Sequence, residues 1–181
     1  LAHEITGRRR AGQVQKILAN ISAAAMVSES LTKLVMTIRE QLSSIIDTQN
    51  FYIALYDKDT DSLSLPFIAD EKDNVESFPA AKTMTGYVVK TRKTLMATFD
   101  EQEQLVKKGD IDFVGSRSQI WLGVPLKTNK EVIGVLAVQS YNDAQAYTTQ
   151  DKEVLEIISN QITQAIARKN LEVQEKEQQE L

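Results

Sequence analysis

The sequence has no cysteine, and its 181 residues include one histidine, one tryptophan and three prolines. Without cysteine the chain can form no disulfide, no thiolate metal site and no cysteine nucleophile. The single histidine, His3, lies at the extreme N-terminus. A Ser/His catalytic pair or a histidine-ligated haem in the remainder of the chain therefore has no imidazole to use. No Walker loop or HExxH motif is present either, so we expect that this chain is not an enzyme.

Long apolar runs and an excess of positive charge are also missing. The longest apolar stretch, Val132–Val138, is far shorter than the ~20 residues that a membrane helix needs. The formal net charge of -4 predicts no attraction to nucleic acid or to an anionic membrane surface. We therefore expect a cytoplasmic protein that has no nucleic-acid partner and makes no membrane contact.

Two apolar segments, Gln119–Leu126 and Val132–Ser140, predict a β-hairpin at the centre of the fold. Both are apolar at nearly every residue, whereas a strand with one wet face would alternate. The hairpin is therefore expected at the centre of a sheet that is covered on both sides. With helical periodicity at both ends of the chain, this predicts an α+β fold. Its central, mainly antiparallel sheet carries the terminal helices on one face and short helices and loops on the other.

The hairpin also carries a family resemblance. Pro125-Leu126, a polar turn, Val132–Val138 and then Tyr147–Asp151 at a helix start resemble the C-terminal half of a GAF domain. The resemblance continues upstream through Thr85–Val89 and covers residues 28–167. It implies a regulatory module that binds a small molecule or dimerises. It does not identify a ligand.

The segments that flank this domain suggest a longer sensory protein. Residues 1–11 resemble the last strand and exit of a PAS domain, with Glu4, Ile5 and Thr6 followed by a basic cluster, Arg8–Arg10. For that cluster a solvated helix start is preferred to a phosphate-binding role. Residues 12–27 are predicted as a connecting helix, and residues 168–181 as a C-terminal signalling helix or coiled-coil linker. The resemblance implies an output domain in the same chain, for example that of a sensor histidine kinase in a two-component system.

Local signals predict the remaining elements. Thr85 is expected to cap a short helix, and simple capping is preferred there to anion binding. Asp100 with Glu103 predicts the start of another helix that ends near Gly109. The alternate aspartates between Asp57 and Asp61 are spaced like the opening of a calcium loop, but a solvated hairpin turn is preferred because the glycine and glutamate of such a loop are missing. The other predicted elements are helices at Gly12–Val27 and Leu31–Ile46, strands at Phe51–Tyr56, Ser62–Ala69 and Thr94–Thr98, and a loop at Asp70–Met84.

In a GAF domain the ligand pocket lies on the sheet face away from the terminal helices. The residues that the resemblance assigns to that pocket are mostly apolar, with hydroxyl groups and backbone amides that could orient a ligand. They are Thr85, Gly86, Tyr87, Phe99, Phe113, Ser118 and Trp121. Ile53 and Phe67 are candidates too, but the core is preferred for both. The alternative is that the aromatic residues only fill the core between the sheet and its covering helices.

The resemblance also limits the chemistry. Bilin attachment and the reduction of methionine sulfoxide by GAF relatives depend on cysteines, so neither is expected here; no haem or metal is expected either. We predict that an unknown small molecule binds and that the signal passes through the terminal helices of a homodimer. One alternative is a ligand-free dimerisation and spacer element. The other is a cyclic-nucleotide-binding domain, although Ser140-Tyr141 stands where such domains commonly carry Asn-Lys.

Overall fold

The structure is a computed structural model that describes residues 2–113 and 115–180. Leu1 and Leu181, the end residues of the predicted PAS tail and linker, lie outside the described residues, as do the side chains of residues 2–6, which include the single histidine, His3. The described elements are α1 (Ala2–Val27), α2 (Leu31–Leu42), β1 (Asn50–Asp57), β2 (Ser62–Ala69), β3 (Ser77–Pro79), α3 (Met84–Thr91), β4 (Leu95–Thr98), α4 (Phe99–Lys107), β5 (Ile120–Lys127), β6 (Val132–Ser140) and α5 (Thr149–Glu180).

The strands form one six-stranded sheet in the order β3-β2-β1-β6-β5-β4. Every neighbouring pair is antiparallel. The two strands of the predicted hairpin, β5 and β6, lie beside each other in the interior of the sheet, and nearly all their residues are buried. Because the sheet is covered on both faces, neither strand needs a polar side. The predicted α+β fold is confirmed.

One face of the sheet packs against α2 and α5, and α1 packs on these two helices. Alternate residues of the central strands point to this side, among them Phe51 of β1, Leu122 of β5 and Leu136 of β6. They share one core with the apolar stripes of the helices, represented by Ile21 and Ile158, which are fully buried. This is the larger core of the domain, and Ile53 belongs to it while Phe67 packs against it, as preferred from the sequence.

The helices α1 and α5 lie side by side and run in the same direction. Arg10 near the start of α1 contacts Asp151 at the start of α5. Just beyond the other end of α1, Lys33 has the largest effect in lowering the pKa of Glu29. Glu29 also lies close enough to Lys176 of α5 for the charge of this lysine to lower the same pKa. The start of α5 thus lies beside Arg10 in the first half of α1, and α5 lies between α1 and the central strands β5 and β6.

Several predicted boundaries need correction. The strand expected within residues 1–11 is wrong, because Ala2–Val27 is one helix. The second helix ends at Leu42 instead of Ile46, and Ile46 is buried from a turn that follows it. The hairpin turn predicted between Asp57 and Asp61 is confirmed, whereas the short edge strand β3 was not predicted. Within the described residues, no helix is long and apolar enough to cross a membrane.

The two short helices have different caps from those predicted. Thr83 caps α3, and its side chain accepts a hydrogen bond from the amide of Gly86 at 2.9 Å. Thr98 caps α4 in a capping box with Glu101. Thr85 and Asp100 therefore lie inside the first turns of their helices. The hydroxyl of Thr85 is consequently available for a contact with the sheet.

Candidate functional site

The sheet surface that faces α3 is the candidate site, and we call it the covered face. Its centre is formed by Trp121, Val135 and Ala137, which are buried against Val88 of α3. The indole ring of Trp121 lies along β5 over Gly123, where an added Cβ would stand 2.2 Å from Cη2 of the ring. Glycine at this position gives the indole room to lie flat on the sheet. Trp121, one of the predicted site residues, is thus buried at the centre of the covered face, with only 1% of its surface exposed.

A buried hydroxyl pair joins the covered face to α3. The hydroxyl of Tyr52 in β1 lies 2.7 Å from Oγ1 of Thr85, whose side chain is buried. Burial raises the pKa of Tyr52 to about 12, against the lowering effects of its hydrogen bond with Thr85 and of the neighbouring Trp121. Tyr52 is therefore a neutral hydrogen-bonding group at physiological pH. Thr85 and Trp121, both predicted site residues, meet at this tyrosine.

Polar side chains close the covered face at one end of the sheet. Asp70 accepts hydrogen bonds from Nε2 of Gln139 at 2.8 Å and from the hydroxyl of Tyr141 at 2.6 Å. It also accepts hydrogen bonds from the backbone amides of Lys72 and Asp73, at 2.9 Å each. Burial, followed by the hydrogen bond with Asp70, raises the pKa of Tyr141. The charges of Asp70 and Asp73 also contribute to raising the pKa of Tyr52, so this polar end lies close to the hydroxyl pair.

The remaining aromatic residues of the predicted pocket form a separate group beside α4. The guanidinium of Arg117 lies 4.4 Å from the ring centre of Phe99 and 4.5 Å from that of Phe113. This stacking is a favourable cation-π arrangement. Phe99 is 37% exposed, so the group lies at the rim of the domain and outside the buried centre of the covered face.

Ser118 is buried next to this group and is bound to α4. Its carbonyl oxygen accepts a hydrogen bond from Nε2 of Gln102 at 3.2 Å, and the same nitrogen donates to the carbonyl of Ala97 at 3.0 Å. Gln102 is fully buried. Ser118 therefore anchors the chain that enters β5. Among the described residues, no hydrogen bond joins its hydroxyl to Tyr52 or Thr85.

Gly86 and Tyr87 lie on the outer side of α3. An added Cβ at Gly86 would stand 1.8 Å from the carbonyl oxygen of Ala80, so this glycine permits a close approach of two backbone segments. Tyr87 lines an open groove of about 1250 Å³ together with Tyr56, Arg92 and Asn170. The seven predicted residues are thus divided among the covered face, the α4 rim and this groove.

The sequence analysis missed the polar partners of the covered face. Tyr52 was assigned only to a buried strand, because its apolar neighbours hide which face it occupies. Asp70 was placed in a loop without a role, and Gln139 and Tyr141 were assigned to the end of the hairpin. A polar glutamine near the end of an otherwise apolar strand was the one signal that could have indicated this end of the sheet.

Comparison with known proteins concerns the domain as a whole. A family profile described as a GAF domain matches residues 28–167, which is most of the chain. The chain belongs to the GAF domain family. This confirms the range predicted from the resemblance, whereas the PAS tail and the connecting segments remain predictions. A comparison with curated protein sequences finds no significant match.

Solved structures share the GAF fold at low sequence identity. A free methionine-R-sulfoxide reductase from Neisseria meningitidis, in complex with its substrate, is 17% identical with a TM-score of 0.70, covering 90% of this chain and 93% of that chain. The GAF domain of an Acinetobacter phosphoenolpyruvate-protein phosphotransferase is 19% identical with a TM-score of 0.62 over 84% and 92%. Residues 122 to 287 of a methyl-accepting chemotaxis protein are 19% identical with a TM-score of 0.67 over 83% and 97%.

These structures correct the prediction that the chain is not an enzyme. That prediction combined missing motifs with a GAF resemblance that was taken to imply a regulatory role. The reductase has the same fold and is shown with its substrate, so a GAF domain can be catalytic and the prediction is not supported. The GAF fold also occurs in signalling proteins, among them the chemotaxis and phosphotransferase proteins.

Proposed function

We propose that this GAF domain is a sensory module that binds a small molecule at the covered face. The observation that carries the proposal is the convergence of Tyr52, Thr85 and Trp121 beneath α3. Buried hydroxyl groups beside a flat aromatic surface are the features that orient a ligand in an otherwise apolar site. The helix α3 connects these groups to the rest of the domain, so a ligand that displaces Tyr52 from Thr85 would also move α3.

The proposed relay is a homodimer formed through the terminal helices, in a cytoplasmic signalling protein of the histidine kinase type. Exposed apolar side chains on α5 support a helix partner: Ile157 and Leu171 are each 57% exposed. Because they are two heptads apart, they lie on the same side of the helix. Met26 and Val27 of α1 add exposed apolar surface at 66% and 80%.

Sedimentation of the double variant Ile157→Glu/Leu171→Glu tests this dimer. We expect the variant to sediment as a monomer where the wild type is a dimer, because four carboxylates would face each other across the interface. Val75→Glu is the matched control, since Val75 is an exposed valine in a loop away from the helices. A wild-type monomer at high protein concentration would contradict the relay.

Native mass spectrometry of the purified chain, compared with the same sample after denaturation, tests ligand binding. A dimer that carries an extra non-covalent mass would support the sensor and would weigh the ligand. Titration of Trp121 fluorescence with metabolites, cyclic nucleotides among them, then tests individual compounds. Thr85→Val, which removes the hydroxyl bound to Tyr52, should weaken any compound that binds at the covered face.

A second candidate function is a ligand-free spacer that holds two chains together. It is favoured by the filling of the covered face by the protein itself, since Trp121 and Val88 are almost fully buried there. Native mass spectra of bare dimers, with no compound that changes Trp121 fluorescence, would favour the spacer over the sensor.

A further inference from the structure

One carboxylate joins the first helix of the chain to the start of the last helix. Oδ1 of Asp151 lies 2.6 Å from Nη2 of Arg10, and Nη1 of the same guanidinium donates to Oε1 of Gln150 at 3.1 Å. The other oxygen, Oδ2, accepts the amide of Thr148 at 2.9 Å. The amide of Asp151 donates in turn to Oγ1 of Thr148 at 3.1 Å, which completes a capping box. One oxygen of Asp151 thus binds α1, and the other accepts a hydrogen bond in the cap of α5.

The Arg10–Asp151 pair is better shielded than the ion pairs on the domain surface. The side chains of Arg10 and Asp151 are 25% and 13% exposed. Those of Lys33 and Glu29 are 61% and 80% exposed. Nε of Arg10 is buried and has no partner among the described residues, so water does not reach that side of the guanidinium. Removal of Arg10 would leave a largely buried carboxylate without its counter-charge, which is costly.

The neighbouring arginines make the pairing specific to one position. Arg8 and Arg9 are exposed, whereas Arg10 is partly buried against α5. Because α1 and α5 run in the same direction along one core, an axial shift or rotation of α1 would move the Arg10 guanidinium relative to the first turn of α5.

From these contacts we infer that the Arg10–Asp151 pair couples the position of α1 to the capping of α5. A displacement of α1 withdraws Arg10, which leaves Asp151 free to leave the Thr148 cap and so loosens the first turn of α5. This route runs from helix to helix, without passing through the covered face. It goes beyond the proposed ligand sensor and does not depend on it.

Hydrogen–deuterium exchange of the full chain tests the coupling. Arg10→Ala should raise the exchange rates of the amides of residues 152–155, which donate the first hydrogen bonds of α5, by about fivefold, as loss of a helix cap does. Arg9→Ala is the matched control, because it removes an exposed arginine one residue away, and it should leave these rates unchanged. Arg10→Lys keeps the charge but loses the second contact, so its rates should be intermediate.

The reverse direction gives a second readout. Thr148→Ala breaks the cap without touching α1, and it should raise exchange in residues 8–12 because Asp151 is no longer held towards Arg10. Coupling is refuted if Arg10→Ala speeds exchange only in α1 and leaves residues 152–155 as in Arg9→Ala. If Arg10→Ala does not fold, Arg10→Lys replaces it, and coupling is refuted if its exchange rates in residues 152–155 equal those of Arg9→Ala. Trp121 emission should stay unchanged in all these variants, which separates this test from the ligand proposal.

Discussion

The substitution Gly123→Ala should dislodge Trp121 from the covered face. The new Cβ would stand 2.2 Å from Cη2 and 2.4 Å from Cζ3 of the indole, whereas carbon atoms in contact stay ~3.5 Å apart or more. The ring would have to move by more than ~1 Å in a site packed like the rest of the core. Overpacking of this kind costs about 1–3 kcal/mol of the free energy of unfolding.

Two measurements check this prediction. Urea unfolding followed by circular dichroism should show the loss of stability, and the emission of the single tryptophan should shift to longer wavelength as the ring meets water. Gly12→Ala is the control, because an added Cβ there meets nothing within 4 Å. At this exposed position of α1 the control should stabilise the protein by about 1 kcal/mol.

A double-mutant cycle shows whether the indole is the cause. In a Trp121→Phe background the far ring carbons are absent, so Gly123→Ala should cost less than in the wild type, with a coupling energy of about 1 kcal/mol. Unchanged emission, together with equal costs in both backgrounds, would refute the reasoning.

Three further predictions concern the groups around the site. Tyr52, with a pKa raised to about 12 in the folded state, binds its proton more tightly than an unfolded tyrosine at ~10 does. Its contribution to stability is therefore complete below pH ~10 and is lost towards pH 12, and Tyr52→Phe should flatten this alkaline fall in urea unfolding at successive pH values. An identical slope in both proteins would contradict it. Thr98→Ala should cost about 1 kcal/mol by removing the cap of α4, whereas Thr98→Ser should be nearly neutral; equal stability of all three proteins in urea unfolding would argue against the cap. Gly86→Ala should cost about 1–3 kcal/mol and expose Trp121 to acrylamide, since its Cβ would meet the Ala80 carbonyl; unaltered quenching would show that α3 has not moved.

The central hairpin and the long helices could be predicted because burial determines their sequences. β6 has the predicted bounds, Val132–Ser140, and β5 differs from its predicted bounds by one residue at each end. Helix ends were harder to predict, because several nearby hydroxyl and carboxylate residues can form similar caps. Thr83 and Thr85 both precede apolar helical residues, and only the position of Tyr52 on the sheet decides which of them faces inward.

The candidate site could be predicted only in part. Trp121 and Thr85 were identified through the family resemblance, and the structure brings them to one tyrosine. The polar end around Asp70 depends on which loop residue reaches Gln139, 69 residues further along the chain. No local pattern carries that information, because the contact exists only after β1 and β6 have paired. The start of the first helix, within residues 1–11, was mistaken for a strand because a short resemblance outweighed the helical periodicity predicted for residues 12–27.

The two edges of the sheet have a consequence for the behaviour of the protein at high concentration. β3 has three residues, the last of them Pro79, and β4 has four residues before α4 begins. Long, flat edge strands offer unpaired amide and carbonyl groups to other molecules and so promote aggregation. Here the long apolar strands are interior ones. The sheet therefore offers foreign strands little to pair with, and samples concentrated enough for the sedimentation and mass measurements should stay free of β-type aggregates as long as they remain folded.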